Sequence, residues 1–339
     1  MRSKKNARLV LLLAILVLAA AAGACSPATD QTSSSQQKEH QDEHRQADFG
    51  PVELGAGEKL KVVATTSIVG DVVANVGGDR IELTTLMDIG MDPHTYVATP
   101  SDRAAIHDAQ VVFASGAGLE EELEEVFDTA ASSARYVEVS QGIEFLAPPG
   151  NDELPAAQPD EHLHGDVDPH VWFSVPNVKH WVETIEHALS NLDPQNSAYY
   201  EESATAYASE LDKLDEWVRE QIGQIPEANR KLVTNHPTFG YLADSYGLEQ
   251  LGAVYPISPS SEPSAQDIAA LQDIIHQYGV PAIFTESTVN PKLAQQVAED
   301  TDVKLVPLYS GSLSEQGQGA GTYIMLIRYD VAAIVDALQ

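Results

Sequence analysis

The sequence predicts an α/β fold with two similar lobes, each built on a mainly parallel sheet, and one long rigid helix between them. Two segments with the pattern strand, turn, helix align at a constant offset of 170 positions, 61–77 with 231–247. An apolar run at 111–115 has its counterpart at 282–286. Because both copies follow the same order of strand, glycine turn and helix, the chain is predicted to hold two related α/β units.

A single long helix is predicted over residues 193–225. We expect Asp193 to cap it, and Pro194 suits the first helical position, where its missing N–H costs no hydrogen bond. Apolar residues then recur every three or four positions, at Tyr200, Ala204, Tyr207, Leu211, Leu214, Val218 and Ile222. At a rise of ~1.5 Å per residue this helix would span roughly 40 Å, enough to run along both lobes and to limit hinge closure between them.

The lobe boundaries follow from composition. Residues 148–167 include Pro148, Pro149, Pro155 and Pro159, and this stretch is typical of a long surface loop. We therefore predict an N-terminal α/β lobe at 59–192, interrupted by this loop, and a C-terminal α/β lobe at 226–339.

The N-terminus predicts export from the cytoplasm. Basic residues precede the apolar run 9–22, and Ala-Gly-Ala then leads to Cys25, the only cysteine of the chain. The run is shorter than the ~20 residues that a spanning helix needs, and the segment 1–24 resembles a bacterial lipoprotein signal peptide whose cysteine is lipidated. Ala22 departs from the leucine more usual there, so plain cleavage is the alternative. Residues 25–58, poor in large apolar side chains, are predicted to form a flexible acidic tether.

Charge and cysteine content exclude several classes of function. The chain has 19 Lys and Arg against 51 Asp and Glu, a formal net charge of −32. Such a field disfavours nucleic-acid phosphates and anionic lipid as partners and favours cations. One cysteine excludes an intramolecular disulfide framework and a thiolate metal cluster.

Three histidines have surroundings that favour a metal site between the lobes. His94 follows the predicted strand 81–86 in one lobe, and His236 ends the strand 232–234 in the other; His170 follows the surface loop. Ligands of α/β sheets bind outside the carboxyl ends of strands, and a proline beside each histidine restricts its backbone. Neutral imidazoles suit Zn²⁺ and similar divalent ions. No spacing rule links the three positions, so from spacing alone a structural role for each histidine stays open.

The motifs around these histidines resemble a known family. Pro-His-Thr-Tyr at 93–96, Asp-Pro-His-Val-Trp at 168–172 and His-Pro-Thr-Phe-Gly-Tyr at 236–241 look like those of the metal-specific solute-binding proteins of bacterial zinc and manganese ABC transporters. The resemblance extends from about residue 60 to 339. It implies two Rossmann-like βα lobes joined by a rigid helix, with one divalent ion held in the cleft by His94, His170 and His236. Histidine rather than glutamate at the third position is similar to the zinc binders, so the resemblance implies Zn²⁺, with Mn²⁺ as the alternative.

The fourth ligand departs from the family pattern. Members usually supply an aspartate or glutamate from the loop after a late strand, and Gly311 stands at that place here. Three alternatives are open: Glu286, at the end of the strand 282–285; Glu315, if its loop folds back; or water. We name Glu286 as the predicted fourth ligand. Its alternative role is that of an acceptor that holds a ligand imidazole.

Other histidines are weaker candidates. His162 and His164 resemble a short form of the histidine-rich loop of some zinc-binding members, which would gather ions near His170; an ordinary solvated loop is the alternative. His40 and His44 in the tether are similar, weaker candidates. The remaining histidines lie within helical patterns and are predicted to be structural or exposed: His107, His180, His187 and His276.

The resemblance implies an exported receptor rather than an enzyme. It would capture Zn²⁺ at the outer face of the cell membrane or in the periplasm, attached through a lipid anchor at Cys25, and deliver the ion to an ABC permease as a monomer. Three alternatives remain: an Mn²⁺ receptor of the same family, a metal-dependent surface adhesin, or a zinc hydrolase with three histidines and an open water position. The hydrolase is disfavoured because the chain has neither a His-Glu-x-x-His helix nor a Gly-x-Ser-x-Gly elbow.

Overall fold

The structure is a computed structural model that describes residues 50–55, 57–123, 126–127, 135–147, 167–255 and 263–339. Several predicted features lie outside these ranges: the signal peptide 1–24, Cys25, the tether up to residue 49 with His40 and His44, and loop residues 148–166 with His162 and His164. Among the described residues, no helix combines the length and the apolar composition needed to cross a membrane.

Two four-stranded parallel sheets form the framework, as the sequence predicts. The N-terminal sheet has the order β2-β1-β3-β4 and consists of β1 (Leu60–Ala64), β2 (Ile81–Thr85), β3 (Val111–Ala114) and β4 (Arg135–Glu138). The C-terminal sheet has the order β6-β5-β7-β8 and consists of β5 (Lys231–Thr234), β6 (Glu249–Ala253), β7 (Ala282–Glu286) and β8 (Lys304–Leu308). The same strand order in both lobes confirms the α/β fold class.

The strand order fixes where a ligand can bind. In each lobe the chain leaves the first strand toward one edge and returns to its other side, so the carboxyl ends of the two central strands flank a switch point. These pairs are β1 with β3 and β5 with β7. The central strands β3 and β7 are buried along their whole length, as expected for parallel strands covered on both faces.

Helices cover the sheets and connect the lobes. They are α1 (Ser67–Gly77), α2 (Pro100–Asp108), α3 (Val175–Leu192), α4 (Ser197–Ile222), α5 (Gly240–Tyr246), α6 (Ala265–Tyr278), α7 (Lys292–Thr301) and α8 (Tyr323–Leu338). Helix α4 has 26 residues, buries the predicted apolar stripe and packs against α1, α3, α5 and α8.

The start of the long helix differs from the prediction. Asp193 does not cap it, because its carboxylate accepts no backbone N–H of the following turn and its backbone lacks the extended conformation of an N-cap. Its carboxylate instead accepts from Asn196 Nδ2 at 2.6 Å and from the Tyr200 hydroxyl at 3.0 Å. Residues Pro194–Asn196 form a 3₁₀ turn, and α4 begins at Ser197.

One hydrophobic cluster runs through both lobes. It includes the fully buried Trp172, Trp181, Tyr200 and Tyr323, together with apolar side chains of β1, β3, β5 and β7. Close-packed interiors resist deformation, so a core shared between the lobes favours a fixed lobe arrangement over wide hinge opening.

Candidate metal centre

His94 lies on the loop between β2 and α2. Asp92 Oδ1 accepts the His94 backbone N–H at 3.0 Å, which forms an Asx turn around Pro93. The loop ends in a capping box at α2, where Thr99 and Asp102 exchange hydrogen bonds with each other's backbone. The loop that carries His94 is therefore fixed at the turn itself and at its exit.

His170 is held by an aspartate in the same relative position. Asp168 Oδ1 accepts the His170 backbone N–H at 3.0 Å and lies 2.7 Å from His170 Nδ1. An ionised carboxylate only accepts, so Nδ1 carries the proton and Nε2 keeps its lone pair. The next residue but one, Trp172, is buried, and its indole N–H donates to the Ser310 carbonyl of the other lobe at 3.1 Å.

His236 follows β5 at the switch point of the C-terminal sheet. Its backbone N–H donates to Glu286 Oε1 at 2.9 Å, across from the end of β7. Its Nδ1 lies 2.7 Å from the Thr238 hydroxyl, which donates to Glu286 Oε2 at 2.9 Å. Because that hydroxyl gives its proton to the carboxylate, its oxygen accepts from Nδ1–H, and His236 Nε2 is also left free to bind a metal.

The three imidazoles meet in one pocket. His94, His170 and His236 each offer a nitrogen, and these nitrogens all lie within 4.8 Å of one another. The Nε2 atoms of His94 and His170 are 3.1 Å apart. Two nitrogens bound tetrahedrally to Zn²⁺ at 2.0–2.1 Å would be separated by about 3.3 Å. The pocket volume of about 10 Å³ has room for one water-sized body, so the geometry fits a single ion.

The electrostatics keep the cluster ready for a cation. Burial lowers the pKa of His94 well below 6.5, and a proton on the neighbouring His170 or His236 would lower it further, so His94 is neutral at pH 7. Burial by itself raises the pKa of the Glu286 carboxyl, but the hydrogen bonds from His236, Ser310 and Thr238 outweigh burial and leave the pKa below 4.5. Glu286 is therefore an ionised acceptor.

Glu286 lines the pocket, but both of its oxygens are engaged by His236 and Thr238. The group of ligand atoms within 4.8 Å of one another, in the described part of the chain, comprises the three histidines without it. Its role as fourth ligand stays a prediction.

Two further positions bear on the fourth ligand: Glu315, which was an alternative for it, and Gly311, which stands where the family pattern has a carboxylate. Glu315 is exposed and does not line the pocket. Gly311 does line it, and a Cβ there would come within 2.9 Å of Pro93 Cδ.

Sequence reasoning missed the residues that orient the imidazoles. Asp92, Asp168 and Thr238 each hold one of the three clustered histidines, two positions away in the chain. The repeated Asp-Pro-His at 92–94 and 168–170 was a usable signal for the two aspartates, because an aspartate side chain often accepts from the backbone two residues on.

Comparison with known proteins decides the family. Residues 62–337 match the family described as zinc-uptake complex component A, periplasmic (ZnuA). The chain belongs to this family. ZnuA-family proteins are metal-binding, extracytoplasmic substrate-binding components of ABC transporters and not enzymes, which confirms the expected class of function.

Relatives with names and structures agree on the class but differ in the ion. The chain is 34% identical over 284 residues to the manganese-binding lipoprotein MntA of Halalkalibacterium halodurans, covering 84% of this ZnuA-family chain and 90% of that one. It is similar to the periplasmic zinc-binding protein TroA of Treponema pallidum, with TM-score 0.73, 32% identity, and coverage of 83% and 99% of the two chains. The Mn-bound periplasmic metal-binding protein of Candidatus Liberibacter asiaticus has TM-score 0.73, 29% identity, and coverage of 83% and 100%.

Proposed function

We propose that this chain captures Zn²⁺ with His94, His170 and His236 and delivers it to the permease of an ABC transporter. The observation that carries the proposal is the cluster of three imidazoles, with Nδ1 engaged by Asp168 and Thr238 in two of them. A set of nitrogen ligands with free Nε2 atoms binds Zn²⁺ more favourably than it binds ions that prefer oxygen ligands.

Glu286 is proposed to act on the ion through His236, and a solvent molecule then completes the coordination. Its two oxygens are engaged by the His236 backbone N–H and the Thr238 hydroxyl, which favours this role over direct ligation. Metal-binding histidines commonly rely on such outer partners to fix ring orientation and tautomer.

Metal titration of wild type and His236→Ala tests the site. The variant is expected to lose more than about 100-fold in Zn²⁺ affinity, beyond the 10–100-fold typical for an outer partner. His276→Ala, at an exposed position on α6, is the matched control and should bind like wild type. An unchanged affinity in His236→Ala would remove the proposed site. For wild type, affinity should fall below about pH 6, because protons compete for the imidazoles.

Mn²⁺ is the second candidate cargo, supported by the manganese-binding name of the relative MntA. Affinity alone does not decide between the ions, because most nitrogen sites bind Zn²⁺ more tightly than Mn²⁺. The deciding experiment measures growth of a strain that lacks this gene in chelated medium. Growth should return when the gene is restored and Zn²⁺ is added. It should not return when the gene is restored and Mn²⁺ is added. Rescue by Mn²⁺ alone would overturn the choice of Zn²⁺.

We also propose that Cys25 is lipidated and anchors a monomer to the outer face of the membrane. The basic and apolar segment before Cys25 and the lipoprotein name of the relative MntA support the anchor. Cys25→Ser should move the protein from the membrane fraction to the soluble extracytoplasmic fraction. Membrane retention of that variant would contradict the anchor.

A further inference from the structure

The loop after β8, residues 309–314, contacts both lobes. At its start, the Tyr309 N–H donates to Asp330 Oδ1 on α8 at 2.9 Å, within the C-terminal lobe. At its end, the Leu313 N–H donates to the Ser67 hydroxyl at the start of α1, in the N-terminal lobe, at 3.0 Å. The loop therefore bridges the cleft beside the metal pocket, which Ser310 and Gly311 line.

Ser312 makes the bond that reaches the His94 loop. Its hydroxyl oxygen accepts the Gly90 backbone N–H at 2.7 Å, and the Ser312 side chain is only 2% exposed. Gly90 has φ +89°, a backbone conformation that favours glycine, so this turn of the His94 loop is specified by the sequence. Next to this bond, Gly311 packs against Pro93 so closely that no Cβ would fit without a shift.

His94 depends on this loop more than the other two histidines do. His170 and His236 are nearly buried, and each has a partner at Nδ1. His94 is partly exposed, and among the described residues its ring has a hydrogen bond at Nε2 and none at Nδ1. Its position is therefore set by the backbone of its loop, which Asp92 holds from within and Ser312 holds from the other lobe.

We propose that Ser312 is a positioning residue that keeps His94 on the bound ion and so slows metal release. This inference rests on the proposed function, because it requires His94 to be a ligand. An ion leaves when its least restrained ligand moves away first, and the Ser312–Gly90 bond opposes that movement. Loss of the bond should therefore raise the dissociation rate while the same three nitrogens remain the ligands.

The test measures the rate at which Zn²⁺ passes from the holoprotein to excess EDTA. Ser312→Ala is expected to release Zn²⁺ about three- to tenfold faster than wild type, as expected for one lost intramolecular hydrogen bond. The Co²⁺ absorption spectrum should stay that of wild type, because no ligand is removed. Ser140→Ala is the matched control: its hydroxyl is equally buried and donates to the Ser115 carbonyl within the N-terminal lobe.

Each outcome decides the inference. Faster release from Ser312→Ala with an unchanged Co²⁺ spectrum, and a wild-type rate for Ser140→Ala, supports it. A wild-type rate for Ser312→Ala overturns it, and so does an equal acceleration by Ser140→Ala. If Ser312→Ala does not fold, Ser312→Cys applies the same test, because a thiol accepts the Gly90 N–H only weakly, and the Co²⁺ spectrum reports whether the new sulfur has become a ligand. If wild type itself does not bind Zn²⁺ through the histidines, the proposed function fails first and this inference fails with it.

Discussion

Replacing Glu286 by glutamine should reverse the tautomer of His236. In the native chain the carboxylate accepts from the Thr238 hydroxyl, and that hydroxyl oxygen accepts from His236 Nδ1–H. A glutamine that keeps its oxygen on the His236 backbone N–H turns its NH₂ toward Thr238. The Thr238 hydroxyl is then expected to donate to Nδ1, at 2.7 Å, rather than to the more distant His236 carbonyl at 3.4 Å. The imidazole would carry its proton on Nε2, where it cannot bind a metal ion.

The size of the effect follows from the alternative amide orientation. His236 can keep its proton on Nδ1 only if the introduced glutamine turns its oxygen toward Thr238 and its NH₂ toward the His236 backbone N–H. Two donors then face each other, and a buried N–H is left without an acceptor. Glu286 and His236 are only 5% and 4% exposed, so solvent does not replace the lost bond. An unsatisfied buried group costs about 1–3 kcal/mol, equivalent to a loss of about 5–150-fold in Zn²⁺ affinity.

Competition with a chromophoric chelator measures this affinity, and X-ray absorption counts the nitrogens around the ion. Glu286→Gln should weaken binding within the stated range and keep three imidazoles, whereas the exposed Glu315→Gln should match wild type. Thr238→Val should weaken binding similarly, and the double variant should lose less than the sum of the two, because both changes break one chain of hydrogen bonds. Wild-type affinity in Glu286→Gln would refute the relay. A loss above about 1000-fold together with a lost oxygen ligand would instead identify Glu286 as a ligand, since that exceeds the 10–100-fold typical for an outer partner.

Three further predictions concern pH and packing. Because burial lowers the pKa of His94, the unfolded chain binds a proton below pH 6.5 that the folded chain does not bind. The metal-free protein should therefore lose thermal stability as pH falls below 6.5. This loss should be less steep in His94→Gln. Burial raises the pKa of Asp330 well above 3.8, so the folded chain retains a proton that the unfolded chain loses. The stability of the wild type therefore falls as pH rises. The thermal stability of Asp330→Asn should exceed that of wild type by more at about pH 8 than at about pH 5. Gly311→Ala should lower Zn²⁺ affinity by displacing Pro93 beside His94, whereas Gly321→Ala, where a Cβ meets only ordinary contacts, should not.

The duplicated lobes are predictable because their central strands are covered on both faces. Such strands give short continuous apolar runs, and β3 and β7 are buried at every position. The edge strand β6 is Glu-Gln-Leu-Gly-Ala and only partly buried, so it gives no such run and was not predicted. The Asp193 cap is wrong for another reason: the local motif fits a helix start, but the Asp193 carboxylate accepts from the side chains of Asn196 and Tyr200 instead of from a backbone N–H.

The three clustered histidines are more predictable than the residues that support them. Asp168 stands two residues before His170, so the pair is local in sequence and its Asx turn can be recognised from the motif. Glu286 meets His236 only because β5 and β7 are neighbours, and 50 residues separate the two in the chain. A contact of that kind depends on strand order, which neither motif reveals.

Each lobe has a buried glutamate at the carboxyl ends of its two central strands, but the two carboxylates accept from different groups. In the N-terminal lobe, Glu120 joins the carboxyl ends of β1 and β3 by accepting from the Thr65 hydroxyl at 2.6 Å and from the backbone N–H groups of Ser115 and Gly116. In the C-terminal lobe, Glu286 joins β5 and β7 by accepting from His236 and Thr238. Burial raises the pKa of Glu120, although its hydrogen bonds oppose the shift.

Only the C-terminal lobe has a histidine of the cluster directly at its switch point. The offset of 170 positions places Thr66 opposite His236, and Thr66 caps α1 by accepting from the Val69 N–H. An imidazole there would remove that cap, and Glu120 already holds the neighbouring groups. The N-terminal lobe therefore contributes His94 and His170 from loops, where each histidine has its own aspartate two residues before it. All three histidines of the cluster thus donate their backbone N–H to a carboxylate, so both lobes fix an imidazole in the same way even though they place it on different elements.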